Sequence, residues 1–147
     1  MIIGYYHSVF FGGGTYFKLS KNSNDNFFKF EYCHSAVPNY IPNAEMYIKT
    51  YNTLSFDNER FKNLEKNLKV KNIKDNSYIN EIISIIEKTD WERIENEKYS
   101  SDNLDDVCWC FYIENDQNKK YFIQGYSVYP NEIESIYNLF KTINKLN

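Results

Sequence analysis

Apolar and polar residues alternate along the first part of the chain, which is the pattern of half-buried strands. Residues from Ile2 to about Phe11 are apolar and β-prone, Thr15 to Ser20 resumes the pattern, and Phe27 to Ser35 follows. The segment Asn22 to Asn26 separates the last two runs, and its Asn and Asp side chains favour a turn because they tolerate positive φ and bond their own backbone. The alternation predicts a β-hairpin. Its second strand places on one face Phe28, Phe30, Tyr32 and His34, and on the other Lys29, Glu31 and Cys33.

In the middle of the chain, the spacing of apolar residues changes from every second residue to every third or fourth residue, which is typical of a helix. Glu45 to Leu54 is rich in Tyr and Thr and predicts a further strand. Asp57 is a candidate N-cap of a helix that runs to about Val70, and Asp75 is a candidate N-cap of a second helix that runs to about Lys88. The apolar stripes that indicate these two helices are Phe61, Leu64 and Leu68, and then Ile79, Ile82, Ile83 and Ile86.

The last part of the chain repeats the hairpin pattern and closes with a helix. Residues 107–113 alternate, the turn residues 115–118 follow, and residues 119–126 return, so a second hairpin is predicted. Pro130 then begins a helix with acidic residues in its first turn, where they favour the helix dipole. The apolar face of this helix consists of Ile133, Ile136, Tyr137, Phe140 and Ile143.

Strands, two helices, strands and a helix follow one another in this order. That order predicts an α+β fold, with an antiparallel sheet and its two central helices and C-terminal helix packed on one face. The 147 residues fit one domain, residues 1–147, and show neither an internal repeat nor a long linker.

Composition narrows the classes of function. Aromatic residues make up 18% of the chain, whereas histidine and cysteine, which are frequent in metal sites and catalytic sites, occur only two and three times. The net charge of -3 disfavours nucleic-acid binding, which usually requires a basic surface. No run of eighteen apolar residues and no signal-peptide pattern is present, so we expect a cytoplasmic protein with reduced cysteines.

Three motifs invite a chemical interpretation. Gly12-Gly13-Gly14 leads into a strand and not a helix, so a bulge or turn is expected and not a phosphate loop. Cys108 and Cys110 share one strand face, but their spacing does not fit a structural zinc site, and core packing is expected for them and for Cys33. His7 and His34 could act as general bases, although no catalytic signature accompanies them.

Acidic residues gather around the second hairpin and before it. They can form a solvated rim or an acidic face that attracts a basic partner. Nearby Tyr and Trp side chains favour the second interpretation, because aromatic residues are enriched as anchors in interfaces. The candidate partner-binding residues are Trp91, Tyr99, Asp102, Asp105, Asp106, Glu114 and Asp116.

Two segments carry a resemblance. Trp109 in a strand, and Gly125-Tyr126-Ser127-Val128-Tyr129-Pro130 before the last helix, resemble small proteins of AT-rich bacteria. Those proteins have Asp-Gly-x-x-Trp and Gly-x-Asn-x-Tyr-Pro at these places. Here Asp105-Asp106-Val107-Cys108-Trp109 lacks the Gly, and Ser127 replaces the Asn. In kind, an acidic, Tyr-rich α+β domain is similar to bacterial immunity proteins, and this resemblance implies a protein that blocks a toxin, often a basic nuclease.

We therefore expect a non-enzymatic cytoplasmic binding protein, an immunity protein or antitoxin-like inhibitor, that needs no cofactor or metal. One alternative is a phage-type or host accessory protein that sequesters a small ligand such as a nucleotide. The second alternative is a hydrolase that uses His7 or His34.

Overall fold

The computed structural model describes residues 1–8, 14–34, 68–99 and 108–146. The elements within these ranges are β1 (Ile2–Ser8), β2 (Gly14–Ser20), β3 (Phe28–His34), β4 (Lys69–Ile73), α1 (Ser77–Lys88), α2 (Trp91–Asn96), β5 (Cys108–Glu114), β6 (Lys120–Tyr126) and α3 (Asn131–Lys145).

The strands form one antiparallel sheet in the order β4-β3-β2-β1-β5-β6. The three described helices contribute to a single core with one face of this sheet. The predicted α+β domain is therefore confirmed, and so are the β2–β3 and β5–β6 hairpins. No helix in the described ranges is both long and apolar enough to cross a membrane.

Both faces of the central strands are buried. The face toward the helices carries the large apolar side chains at alternate positions, among them Tyr5, Phe17, Phe30 and Phe111. The opposite face also buries side chains, namely Tyr6, Tyr16, Cys33, Cys110 and Tyr112. The burial expected of the cysteines is thus confirmed for the two whose side chains are described.

Glu31 is the buried charged residue on that opposite face. Its carboxylate lies 3.0 Å from Lys29 Nζ and 3.7 Å from Lys18 Nζ, so the buried charge is compensated. Burial lowers the pKa of Lys18, against the opposing effect of Glu31. The assignment of alternate β3 side chains to two faces was predicted correctly, but both faces of the strand contain buried side chains.

Helix α1 begins one residue later than predicted. The N-cap is Asn76 and not Asp75, because the Asn76 side-chain oxygen accepts the N–H groups of Tyr78 and Ile79 at 3.0 and 3.1 Å. These bonds satisfy two amides at the helix start that have no partner within the helix. Its buried residues Ile79, Ile82 and Ile86 follow the predicted stripe.

The prediction of a helix from Asp57 to about Val70 is wrong at the C-terminal end of that range. Lys69–Ile73 is strand β4, which pairs with β3, for example Val70 with Glu31 and Ile73 with Phe28. Val70 and Ile73 are β-branched, and pairing with β3 outweighs the helical periodicity there. The rest of that helix and the strand predicted from Glu45 to Leu54 lie outside the described residues. Gly14 begins β2, so a strand follows the glycines, as expected.

The last helix follows the prediction closely. Helix α3 buries Ile133, Ile136, Phe140 and Ile143, whereas Tyr137 is half-buried and stacks on Tyr5. The ammonium group of Lys71 donates to the carbonyls of Asn144 and Leu146 at 2.8 and 2.9 Å. This cation therefore ties β4 to the C-terminal end of α3, where the helix dipole favours positive charge.

One glycine is required by close packing. A Cβ atom at Gly125 would lie 2.6 Å from Cζ2 of Trp109 and 2.6 Å from the backbone oxygen of Tyr99. A Cβ at Gly4 would meet only Tyr112 Cβ at 3.8 Å, an ordinary contact. The two strand glycines thus have different roles.

We expect Gly125→Ala to destabilise the fold by about 1 to 3 kcal/mol, because Trp109 or the Tyr99 backbone must move. Gly4→Ala is the matched control and should be neutral or slightly stabilising, since Ala loses less conformational entropy than Gly in a strand. Urea unfolding followed by tryptophan fluorescence measures both. Equal midpoints for the two variants would contradict the close packing at Gly125.

Candidate functional site

The seven predicted partner-binding residues do not form one patch. Asp102, Asp105 and Asp106 lie outside the described residues. Trp91 is only 5% exposed: its ring packs on Phe111, and its Nε1 donates to the Ile86 carbonyl at 2.8 Å. Trp91 is therefore largely a core residue and offers little surface to a partner.

Glu114 and Asp116 lie at one end of the β5–β6 hairpin, and Tyr99 lies at the other. Tyr99 bridges Gly125, which pairs with Trp109 near the start of β5, whereas Glu114 ends that strand. The five residue steps from Trp109 to Glu114 span about 17 Å of extended strand, so the two groups cannot serve one small contact.

Glu114, Asp116 and the edge of Trp91 line a common groove beside the two hairpin turns. The groove has a volume of about 1000 Å³ and is open to solvent. Phe28, Ile86 and Trp91 contribute apolar walls, and Lys21 and Lys119 contribute positive charge. The groove therefore joins apolar walls to charged side chains of both signs.

Tyr99 belongs to a second surface, which covers the outer edge of β6. The Tyr99 carbonyl accepts the N–H of Tyr126 at 2.9 Å, and the Glu95 carboxylate accepts the N–H of Phe122 at 2.6 Å. Together with Glu97, these residues line a shallow concavity. We call Glu95, Glu97, Tyr99, Phe122 and Tyr126 the edge surface.

Hydrogen bonds fix the ionisation of the edge surface. The Glu97 carboxylate accepts the Tyr99 hydroxyl at 2.7 Å and Arg93 Nη1 at 2.8 Å. These two bonds lower the pKa of Glu97. Burial, and then the Glu97 carboxylate, raise the pKa of Tyr99 to about 12. At neutral pH the surface therefore presents a carboxylate beside a neutral phenol.

Two exposed hydrophobic side chains stand at the end of this surface. Tyr126 is 53% exposed and Val128 is 43% exposed. Between them Ser127 has a positive φ of 54°. The Val128 N–H donates to the Tyr126 carbonyl at 2.7 Å, and this bond closes a γ-turn centred on Ser127. The Val128 carbonyl is held by Trp109 Nε1 at 3.0 Å. A buried tryptophan thus keeps this turn in place.

Glu95 and Glu97 belong to the acidic residues that precede the second hairpin, but neither they nor Tyr126 and Val128 were among the predicted partner-binding residues. The hairpin register places Tyr126 at the last position of the second strand, on the face opposite to Ile123. The left-handed turn at Ser127 has a weak signal in the sequence, since Asn, which favours that conformation, occupies this place in the proteins that the segment resembles.

The two histidines lie on the same face and in the same row of the sheet. His7 pairs with Thr15, and Thr15 pairs with His34, so the two backbones are two strands, or about 10 Å, apart. His34 Nδ1 lies 3.2 Å from Thr15 Oγ1, and its Nε2 lies 3.1 Å from Asn144 Nδ2. No group of three His, Cys, Asp or Glu side chains within the described ranges could hold a metal ion.

His7 belongs to a partly buried network with tyrosines. Its Nδ1 lies 3.1 Å from the Tyr5 hydroxyl, which donates to the Tyr129 hydroxyl at 3.3 Å. Because the Tyr5 hydroxyl donates its proton to Tyr129, its oxygen can accept a hydrogen bond from His7 in the neutral tautomer that carries its proton on Nδ1. Burial lowers the pKa of His7 to about 4, with smaller contributions from His34 and Lys141. Burial also raises the pKa of Tyr5. Imidazole and phenol are both neutral at physiological pH.

Comparison of the chain with protein-family models, with curated proteins and with solved structures finds no match.

We expect Ser127→Gly to be more stable than Ser127→Ala, which likewise removes the hydroxyl, by about 0.5 to 1 kcal/mol, because glycine adopts positive φ without steric cost. Ser127→Val should destabilise the protein, because a β-branched side chain disfavours this region. Thermal and urea unfolding of these variants measure the difference. A Ser127→Val variant as stable as the Gly variant would contradict the turn.

We expect His7 to titrate near pH 4, below the ordinary value of 6.5. Since the unfolded chain binds this proton more readily, the stability contribution of neutral His7 is fully present above pH 6.5 and is lost as the pH falls through 4. NMR titration of the imidazole measures the pKa directly. His7→Asn should flatten the loss of stability between these pH values, and a midpoint at or above 6.5 would contradict the partly buried network.

Proposed function

We propose that this chain is a non-enzymatic cytoplasmic binding protein that holds a basic protein partner, in the manner of an immunity protein or antitoxin-like inhibitor. The edge surface, extended by Val128, is the proposed contact. The observation that carries this proposal is the combination of exposed Tyr126 and Val128 with the carboxylates of Glu95 and Glu97 along one strand edge.

The apolar part of this surface supplies the anchors. A Tyr side chain adds much buried area with few rotatable bonds, and central aromatic residues dominate the energy of many interfaces. Tyr126 and Val128 project from a turn that the Trp109 indole holds by its bond to the Val128 carbonyl. An anchor that is already held in place loses less entropy when it binds.

The acidic part supplies attraction and orientation. Glu92, Glu95 and Glu97 are exposed on or beside α2, and Glu132 begins α3 close enough to affect the pKa of Arg93 and Tyr99. Arg93 bonds Glu97, and Lys98 lines the same concavity, so these four carboxylates exceed the two cations beside them. Such a surface accelerates encounter with a basic protein, and the effect weakens with salt.

The groove beside the hairpin turns supports the alternative, the sequestration of a small ligand. Its volume of about 1000 Å³ is at the upper end of ligand sites, and its apolar walls meet both lysines and carboxylates. Thermal unfolding with a panel of nucleotides tests this function, and an unchanged midpoint with every nucleotide would count against it.

We expect Tyr126→Ser with Val128→Ser to weaken binding of the partner about 30-fold or more, because two anchor side chains are removed. Co-purification from the native host and mass spectrometry identify the partner, and calorimetry with the purified partner gives the Kd. Tyr78→Ser, which removes an exposed ring on α1, is the matched control and should bind normally.

Charge is tested separately with Glu95→Gln and Glu97→Gln, which keep oxygen acceptors for the Phe122 N–H and the Tyr99 hydroxyl. This variant should associate more slowly at low salt, and the difference should shrink at high salt. Glu81→Gln on α1 is the control. Binding that neither pair of substitutions weakens would disprove the proposed contact.

A further inference from the structure

In the part of the chain that the structure describes, strand β4 is an edge strand, and its outer side has no pairing strand. Successive residues of a strand direct their N–H and C=O groups to opposite neighbours, so one known bond fixes the rest. The Lys21 N–H donates to the Met1 carbonyl, which directs odd residues of β2 toward β1 and even residues toward β3. With the observed registers, Lys69, Lys71 and Ile73 face β3, and the N–H and C=O groups of Val70 and Asn72 point outward.

The two edges of the described sheet differ in their cover. On β6 the outward N–H groups of Phe122 and Tyr126 are already bonded, by Glu95 and Tyr99. On β4 no group in the described part of the chain bonds the outward N–H or C=O of Val70 and Asn72. Both residues are exposed, and the Val70 side chain is 50% exposed. A row of unpaired backbone groups is a template for another strand.

The positive charge along the outer edge of β4 favours an acidic partner strand. Lys69, Lys71 and Lys74 belong to or follow β4, and Lys145 ends α3. Among the described residues none of these four has a carboxylate within ion-pair distance, whereas Lys18 and Lys29 share Glu31. Pairing with β4 of a second copy would bring lysines of the two copies together, and such like charges oppose pairing.

We infer that the outer edge of β4 accepts an extended acidic segment of another protein as an additional strand. The segment would bond the outward backbone groups of Val70 and Asn72. Its acidic residues would lie beside Lys69 and Lys71, which share one face of the sheet, and its apolar residues would lie beside Val70 on the other face. This site lies on the opposite edge of the sheet from the edge surface and does not depend on it.

The test uses NMR of the ¹⁵N-labelled full chain with a seven-residue peptide in which Glu and Val alternate. We expect saturable shifts of the Val70 and Asn72 amides and slower hydrogen exchange at both. Asn72→Pro removes an outward N–H without breaking a bond to β3 and should weaken binding about fivefold or more, whereas the control Asn72→Ala should bind normally. The spectrum of each variant shows whether the fold is retained.

Two further peptides separate strand addition from simple attraction of charge. The same peptide with N-methyl groups on alternate backbone nitrogens keeps its charge but cannot form the strand, so it should not shift these amides. A Lys–Val peptide should not bind. Absence of shifts at Val70 and Asn72 with the Glu–Val peptide, equal binding of the N-methylated or Lys–Val peptide, or self-association through β4 would overturn the inference.

Discussion

The close approach of the Tyr99 backbone to strand β6 is the contact on which the proposed binding surface depends. Gly125 allows it, because any side chain there would collide with the Trp109 ring and the Tyr99 carbonyl. Trp109 in turn holds the Val128 carbonyl and stacks on Tyr129 with ring centres 5.0 Å apart. A single core tryptophan thus contacts both the strand position that Tyr99 bridges and the exposed turn. Tyr126 and Val128 are therefore attached to a turn that the core holds in place.

The two edges of the described sheet differ in how their backbone groups are bonded and in the charge around them. Glu95 and Tyr99 cover β6, and carboxylates outnumber cations around that cover. Strand β4 keeps outward backbone groups in the described part of the chain, and beside it Lys69, Lys71 and Lys74 outnumber Asp75. Edge strands are the places where sheets recruit other chains, and charge decides which chains are accepted. The opposite charges of the two edges would direct partners of opposite charge to opposite ends of the sheet.

The fold could be predicted where local chemistry decides it. Alternation and Asn-rich turns gave both hairpins, and helical periodicity gave α1 and α3. The end of the first predicted helix was wrong because the pairing of Lys69–Ile73 with β3, and the bonds of Lys71 to Asn144 and Leu146, link residues far apart in sequence. Trp91 was expected at a surface, but α2 turns its indole inward to Ile86. The candidate site was harder to predict, since Tyr99 lies at one end of the β5–β6 hairpin and the carboxylates of Glu114 and Asp116 lie at the other.

Partner binding, as we propose it, uses the edge of β6. Hydrogen–deuterium exchange of the chain, alone and bound to the partner purified from its host, measures this most directly. We predict that protection on binding concentrates in residues 95–99 and 120–128, with little change in the hairpin turns that line the groove. Protection concentrated in those turns, or unchanged exchange along β6, would contradict the central claim.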